Sequence, residues 1–385
     1  MKAYRGRIGK RLTRIGAAAA LALCMALSAC GGDTAPAALE KGTETATPRE
    51  SASPSPKPAT PAPSPTATPS PTPAPTPDRT GLDRNLLTGE YIDETIAHRR
   101  PVAVVINNLI KALPQSGIGQ AAMYYEVLSE SSITRIIAIF QDFDAEKIGP
   151  IRSMRHYFLD FALDHDAIFA HHGHSPQGQT AINTLKIDNI EGLKVDGTYY
   201  WRDPARYAIP GMMEHSSYTS AENLWKYIDG KAGYRNTKAD GYEGMFAFYD
   251  EPTAPKGDAA DVITVPYAGS FKPVFTYDAE TKLYAREQYG EPHMDELSGE
   301  QLSVTNVLVQ NAEVWHIPGD DAGRRDVALV ASGTGWLFTN GVVVPVKWSK
   351  TSHQSPTVWT DAAGDVLTLN VGKTWVCVTA EQPAY

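Results

Sequence analysis

Cysteine is nearly absent: Cys24, Cys30 and Cys377 are the only three in 385 residues. Two fall in the first 30 residues, which leaves Cys377 alone in the rest. A lone cysteine forms no internal disulfide and no paired-cysteine zinc site. In "TWVCVT" it sits in an alternating strand pattern, which suits a small buried apolar residue better than a nucleophile. No H-E-x-x-H pair and no G-x-S-x-G turn occurs, so neither a zinc-protease helix nor a nucleophile elbow is signalled. Basic excess is also missing, with 35 Lys and Arg against 44 Asp and Glu. Nucleic acid, which needs a net basic surface, is therefore not expected as a partner. Long apolar runs are confined to the first 30 residues.

Those first residues have the make-up of a bacterial export signal. Lys2, Arg5, Arg7, Lys10, Arg11 and Arg14 form a basic start, and "GAAAALALCMALSA" (16–29) is too short an apolar core for a comfortable membrane span. Leu27-Ser28-Ala29-Cys30 follows, then Gly31-Gly32. This run resembles a lipobox. The resemblance implies a lipoprotein signal peptide over 1–29 and acylation of Cys30, which would anchor the chain to a lipid bilayer outside the cytoplasm. Six of the 35 basic residues and none of the 44 acids precede Cys30. The processed chain would carry 29 basic against 44 acidic residues, a net of −15, so an anion site has to be a local basic feature in an acidic body.

From Asp33 to about Arg79 the chain is rich in Pro, Ala, Thr and Ser. "PSPKPATPAPSPTATPSPTPAPTP" (54–77) has almost nothing to bury. Residues 30–87 are read as lipid anchor and disordered or polyproline-like spacer, about 45 residues reaching roughly 140 Å when extended.

Two folded regions are expected beyond it. Over 88–250 strand and helix patterns alternate, which predicts a layered α/β domain with a mixed sheet. "PVAVVIN" (101–107), "ITRIIAIFQ" (133–141) and "AIFAHH" (167–172) read as strands. The patterns predict helices over 119–130, 150–164, 176–186 and 221–229, the last opened by a capping box at Thr219–Glu222. Over 258–385 the texture is β-rich and mostly antiparallel, with a hairpin near 277–282 and another at Asn340-Gly341. No internal repeat is found.

"IGPIRSMRHYF" (148–158) poses the chemical question. Gly149-Pro150 is a plausible helix start, where partial positive charge favours acids. Arg152 and Arg155 stand there instead, and no acid precedes Asp160. On a helical wheel they leave the arc of Ser153, His156, Asp160 and Asp164. Glu126 and Glu130 would be like-charged i,i+4 neighbours on the preceding helix, a pairing that calls for cations. Arg135 lies within an apolar strand and needs a partner if buried. Three arginines and two glutamates are therefore expected together. They form either a closed ion-pair network or a site with one guanidinium free to grip a carboxylate or phosphate.

"HDAIFAHHGHSPQG" (165–178) places His172 and His174 around Gly173 at a strand end, where α/β sheets bind ligands. Ser175 before Pro176 reads as a helix N-cap, with a nucleophile served by His172 or His215 as the rival reading. No metal site and no cofactor is expected. "YYWRDPARYAIPGMMEHSSYTS" (199–220) interleaves Arg202 and Arg206 with Tyr199, Tyr200, Trp201 and Tyr207. Such a loop suits sugar rings or acidic glycans, or else packs its aromatics on the sheet.

These stretches resemble the YerB-like lipoproteins, family 3048 of the domains of unknown function. The motifs are "NN" (107–108), "LPQSG" (113–117), "YYEVLSE" (124–130), "ITR" (133–135), "IGPIRSMRHYF" and "HHGHSPQ" (171–177), with "NVLVQ" (306–310) and "GKTW" (372–375) further on. Asn108 and Gln115, inside these motifs, join the candidate ligand-binding residues. The sequence departs from the family in "EHSSYTS" (214–220), where Pro-His-Asn is usual, and at His172-Gly173-His174, where Gly-Gly is common. The resemblance implies an envelope lipoprotein with an α/β part followed by a β-rich part, and no activity.

Three functions are consistent with the residues. One is a membrane-anchored, extracytoplasmic protein that binds a cell-wall glycan or phosphorylated polymer through Arg135, Arg152, Arg155, Asn108, Gln115, Ser175, Arg202 and Arg206. Another is an envelope transferase or hydrolase using Glu126, Glu130, His172 or His215. The third is a scaffold that docks a membrane partner.

Overall fold

A computed structural model describes residues 78–385. The expected signal peptide (1–29), Cys30 and most of the Pro-rich stretch lie outside the described residues. Among the described residues no helix is long and apolar enough to cross a membrane.

The fold is built on an eleven-stranded mixed sheet. Its strands are β1 (Val102–Asn107), β2 (Met123–Glu130), β3 (Ile133–Phe140), β4 (Ile168–His171) and β5 (Asn189–Glu191), then β6 (Asp258–Ala259), β7 (Asn306–Asn311), β8 (Ser332–Thr339), β9 (Val342–Ser349), β10 (Val358–Thr360) and β11 (Thr374–Thr379). The order is β6-β9-β8-β7-β11-β2-β3-β1-β4-β5, with β10 on β9. β1, β4 and β5 run parallel, whereas β6 to β10 pair antiparallel with their neighbours on the β9 side. The expected α/β part and β-rich part are both present, and they share this sheet: β11 lies parallel to both β7 and β2.

Alternation explains why the centre holds. Val102, Val104 and Ile106 enter one core, and Ala103 and Val105 the other. A strand buried on both faces reads as an unbroken β-branched run, which is why β1 and β3 were legible. The first core is closed by a five-stranded antiparallel sheet, Val262–Thr264, Val274–Asp278, Leu283–Gln288, Glu291–Pro292 and Ser303–Val304. The second packs under the helix Phe158–Asp164, through Phe158, Leu159, Phe161 and Ala162.

Two expected helices are corrected. Residues 119–130 form a short 3-10 turn, Ile118–Gln120, and then strand β2. Met123, Tyr125 and Val127 enter one core and Tyr124 the opposite one, so the period is two and not 3.6. Glu126 and Glu130 are thus strand residues, not neighbours on a helix face. Over 150–164 only Phe158–Asp164 is helical. Residues 150–157 are mostly extended, their backbone bonded elsewhere: Arg152 N–H donates to the Val105 carbonyl (2.9 Å) and Met154 N–H to that of Gly173 (3.0 Å). Arg152 and Arg155 therefore do not occupy a helix N-terminus.

Other expectations hold locally. Ser175 caps the helix Pro176–Leu185, accepting from the Gly178 N–H at 3.0 Å. The helix Ala221–Gly230 is capped by Ser220, with Asn223 N–H donating at 3.1 Å, one residue later than Thr219. Asn340 and Gly341 both have positive φ (48° and 76°), as a two-residue hairpin turn between β8 and β9 requires.

Candidate functional site

The sequence-predicted residues separate into three groups. Glu126 belongs to the first, which is wholly internal. It points from β2 into the core beneath the five-stranded sheet, paired with Ile136 on one side and Cys377 on the other. Arg286 reaches it from that sheet, Nη2 to Oε2 at 2.8 Å, with side chains 1% and 0% exposed. Asn108 Nδ2 (2.8 Å) and Thr134 Oγ1 (2.9 Å) donate to Oε1, and Trp375 Nε1 to Oε2 (3.2 Å). The guanidinium also lies over the Trp375 ring, 4.3 Å from its centroid, and donates to His293 Nδ1. Because Nδ1 accepts, His293 Nε2 carries the proton and donates to Gln115 Oε1 at 2.6 Å. Burial, then Arg286, holds the His293 imidazole well below its usual range. Asn108 and Gln115 are therefore struts of this network and face no open surface. Four donors on a sealed carboxylate leave Glu126 no lone pair for a substrate proton.

The second group holds the arginines. Glu130 meets Arg155 directly and lies 3.1 Å from Arg135 Nη2. Arg135 Nη1 donates to the Ser153 carbonyl, and Arg155 Nη1 to that of Met154 at 2.7 Å. Both arginines are buried, and Arg155 Nε has no partner among the described residues. Burial, then Arg152, pulls the Arg135 guanidinium down to about 9. Burial brings Arg155 to about 10. Arg152 is the outer member. Its Nη2 donates to Glu214 Oε2 at 2.9 Å, with side chains 22% and 62% exposed. Arg152 in turn holds the Glu214 carboxyl below the usual range. Three guanidiniums thus face two carboxylates, as the composition suggested, but the second carboxylate is Glu214 and not Glu126.

The third group lies at the C-terminal ends of β1, β4 and β5. His172 Nε2 accepts from Arg202 Nη2 at 3.2 Å, so Nδ1 carries the proton and donates to Ser217 Oγ at 2.6 Å. That polarity is the reverse of a general base on a serine. Burial, then Arg202, pushes the His172 imidazole down. Asn107 Oδ1 takes the Leu109 N–H (3.1 Å), which turns its amide nitrogen toward His215 Nδ1 at 2.7 Å. His171 and His174 both address Glu191, at 3.5 and 3.6 Å. Among the described residues no three His, Cys, Asp or Glu side chains form a metal cluster. Ser175 is occupied as a cap, and Arg206 is spent on the carbonyls of Ala112 (3.0 Å) and Pro114 (2.9 Å).

The second and third groups meet at one turn. Arg202 Nη1 donates to the Met213 carbonyl (2.9 Å) and Arg152 Nη1 to the adjacent Glu214 carbonyl (3.3 Å). Two guanidiniums with partial exposure therefore flank the turn Met213–His215. Five surface cavities of about 250 to 610 Å³ lie elsewhere, and Arg135, Arg152 and Arg155 line none of these five. Of the three, only Arg152 is partly exposed, and it faces water beside the largely exposed Glu214.

Sequence reasoning missed Arg286, His293, Glu214 and Ser217. Arg286 carried a usable signal: in "LYAREQ" it falls in register with Tyr284 on the inward face of an alternating strand. Glu214 lay within a stretch already singled out, but only the fold brings it to Arg152.

The model described as "Protein of unknown function (DUF3048) N-terminal domain" matches residues 87–235, and its C-terminal counterpart matches 263–376. A Bacillus subtilis (strain 168) protein named "Putative lipoprotein YerB" is 33% identical over 301 residues, covering 77% of this chain and 86% of that protein. The crystal structure of the YerB protein from Bacillus subtilis matches with a TM-score of 0.68 at 31% identity, over 78% of this chain and 99% of that one. Two adjoining domain matches and a relative alike along nearly all its length place the chain in the DUF3048 family, beside YerB.

Proposed function

We propose that this protein is a lipid-anchored, extracytoplasmic binding protein whose folded part grips an anionic cell-envelope polymer, phosphorylated or an acidic glycan, at Arg152. The lipobox at Cys30 and the name of the Bacillus relative support the anchor. One observation carries the ligand: among the described residues Arg135, Arg152 and Arg155 form direct ion pairs only with Glu130 and Glu214, and the one guanidinium of the three that reaches water is held by a largely exposed acid.

An exposed ion pair is worth about 0–1 kcal/mol, so Glu214 is cheaply displaced. A phosphate or carboxylate on Arg152 gains charge-assisted hydrogen bonds of about 1.5–3 kcal/mol and offsets the unbalanced positive charge behind it. Arg202, on the neighbouring carbonyl and 3.4 Å from the partly exposed Asp196, would take a second oxygen or the next repeat by displacing that acid, as the ligand on Arg152 displaces Glu214. An open face suits an extended polymer better than a small molecule. The sealed state of Glu126 favours binding over catalysis.

The test is titration of the purified full-length chain with poly(glycerol phosphate) at low salt. Arg152→Ala should weaken binding about ten-fold or more, and Glu214→Gln, which removes the competing acid, should tighten it. Equal affinity of all three proteins would end this reading.

A further inference from the structure

We infer that the cavity between residues 117–124, 295–303 and Lys373 is a second binding site, for a zwitterion bearing one carboxylate and one ammonium group, such as an amino acid or short peptide. The hollow measures about 380 Å³, within the size range of small-molecule sites.

Its walls are fixed in advance. Asp295, 2% exposed, accepts from the backbone N–H groups of Gly117 (2.9 Å), Gly119 (2.6 Å) and Leu297 (2.8 Å). One carboxylate thereby ties the two sides together. A Cβ at Gly119 would stand 2.8 Å from Asp295 Oδ2, and one at Gly117, where φ is +67°, would stand 2.4 Å from the Lys147 carbonyl oxygen. Gly117 is thus fixed by its φ and by backbone contact, whereas a side chain at Gly119 would displace the Asp295 carboxylate. Tyr124 adds an aromatic side, its ring stacked on Trp375 at 4.4 Å and its hydroxyl committed to the Ile118 carbonyl.

Asp295 is held by its three backbone donors, and Lys373 and Glu300 are the lining charges with no ion-pair partner among the described residues. Lys373 spends one N–H on the Gly119 carbonyl, and its other two have no acceptor among the described residues. The Glu300 carboxylate has no donor among the described residues and lines the same cavity, while Glu90 and Asp295 act on the Lys373 charge more strongly than Glu300 does. Ser303 Oγ and Gln301 Oε1 are likewise uncommitted there, while Leu297 and Leu302 provide apolar contact. A simple anion would answer Lys373 and be repelled by Glu300 and Asp295, and a simple cation would be repelled by Lys373 and leave it unanswered. A neutral sugar would leave both charges unanswered. A ligand that places its carboxylate on Lys373 and its ammonium on Glu300 answers both of these charges.

The experiment is calorimetric titration of the full chain with alanine and alanyl-alanine, with tryptophan fluorescence as a second reading through Trp375. Saturable binding is expected, about ten-fold weaker or worse in Glu300→Gln and in Lys373→Met. Glu300 is exposed, so its variant should keep the parental melting temperature. N-acetylalanine and alanine amide, each missing one charge, should bind about ten-fold more weakly than alanine. No saturable binding of either zwitterion, or N-acetylalanine binding as well as alanine, overturns the assignment. This site is separate from Arg152, so its failure would leave the anion reading standing.

Discussion

Arg286 and Glu126 form an ion pair that is shut off from water and links two sheets, 160 residues apart in sequence. Removing one partner strands the other charge in the core, which costs about 3–5 kcal/mol. Glu126→Gln and Arg286→Met should each lower unfolding free energy by that order in urea titrations. The double variant should lose less than the two losses added together. Strict additivity would mean that the two groups do not stabilise one another.

Acid should destabilise the fold through its buried imidazoles. Burial lowers His165 (to about 3), His171, His172, His215 and His293 alike. The unfolded chain binds protons at these positions below about 6.5 and the folded chain does not. Their contribution to stability is therefore complete above that value and is lost as pH falls toward about 3. Melting temperature should decline over this window, and less steeply in His165→Gln, which can still accept from the Tyr125 hydroxyl.

Cys377 should be inert in the native state. It is fully buried, and burial pushes its thiol pKa up. In a chain with Cys24 and Cys30 replaced by serine, an aromatic disulfide reagent should label it only at the rate of unfolding. Rapid labelling under native conditions would contradict its placement between β7 and β2.

Ser175→Ala separates a cap from a catalytic residue. Loss of the bond to the Gly178 N–H should cost about 1 kcal/mol in thermal unfolding and leave polymer binding at Arg152 unchanged. A binding defect without a stability loss would restore Ser175 to the ligand site.

Legibility followed the range of the interactions. β1, β3 and the helix Pro176–Leu185 were plain because their signals, a β-branched run and a Ser-Pro cap, lie within the segment itself. β2 was not, because Glu126 breaks its apolar run and mimics the polar side of a helix. What permits a carboxylate in that strand is Arg286, which no local window contains. The extended segment 150–157 failed for a similar reason: its backbone bonds go to Val105 and Gly173, not to its own next turn. That Arg135, Arg152 and Arg155 gather was readable from their placement in apolar or extended motifs with too few acids beside them. The identity of the second acid was not, since Arg152 and Glu214 meet only through the fold.

The position of Thr374–Thr379 bears on how such a chain is made and moved. This strand, the last in chain order among those described, fills the gap between Asn306–Asn311 and Met123–Glu130. A chain that emerges from its amino end leaves two bare strand edges facing each other until residue 379 arrives. Exposed edges recruit other strands, so the incomplete sheet stays open to self-association until this strand is in place. The sheet is complete only with these six residues in its middle.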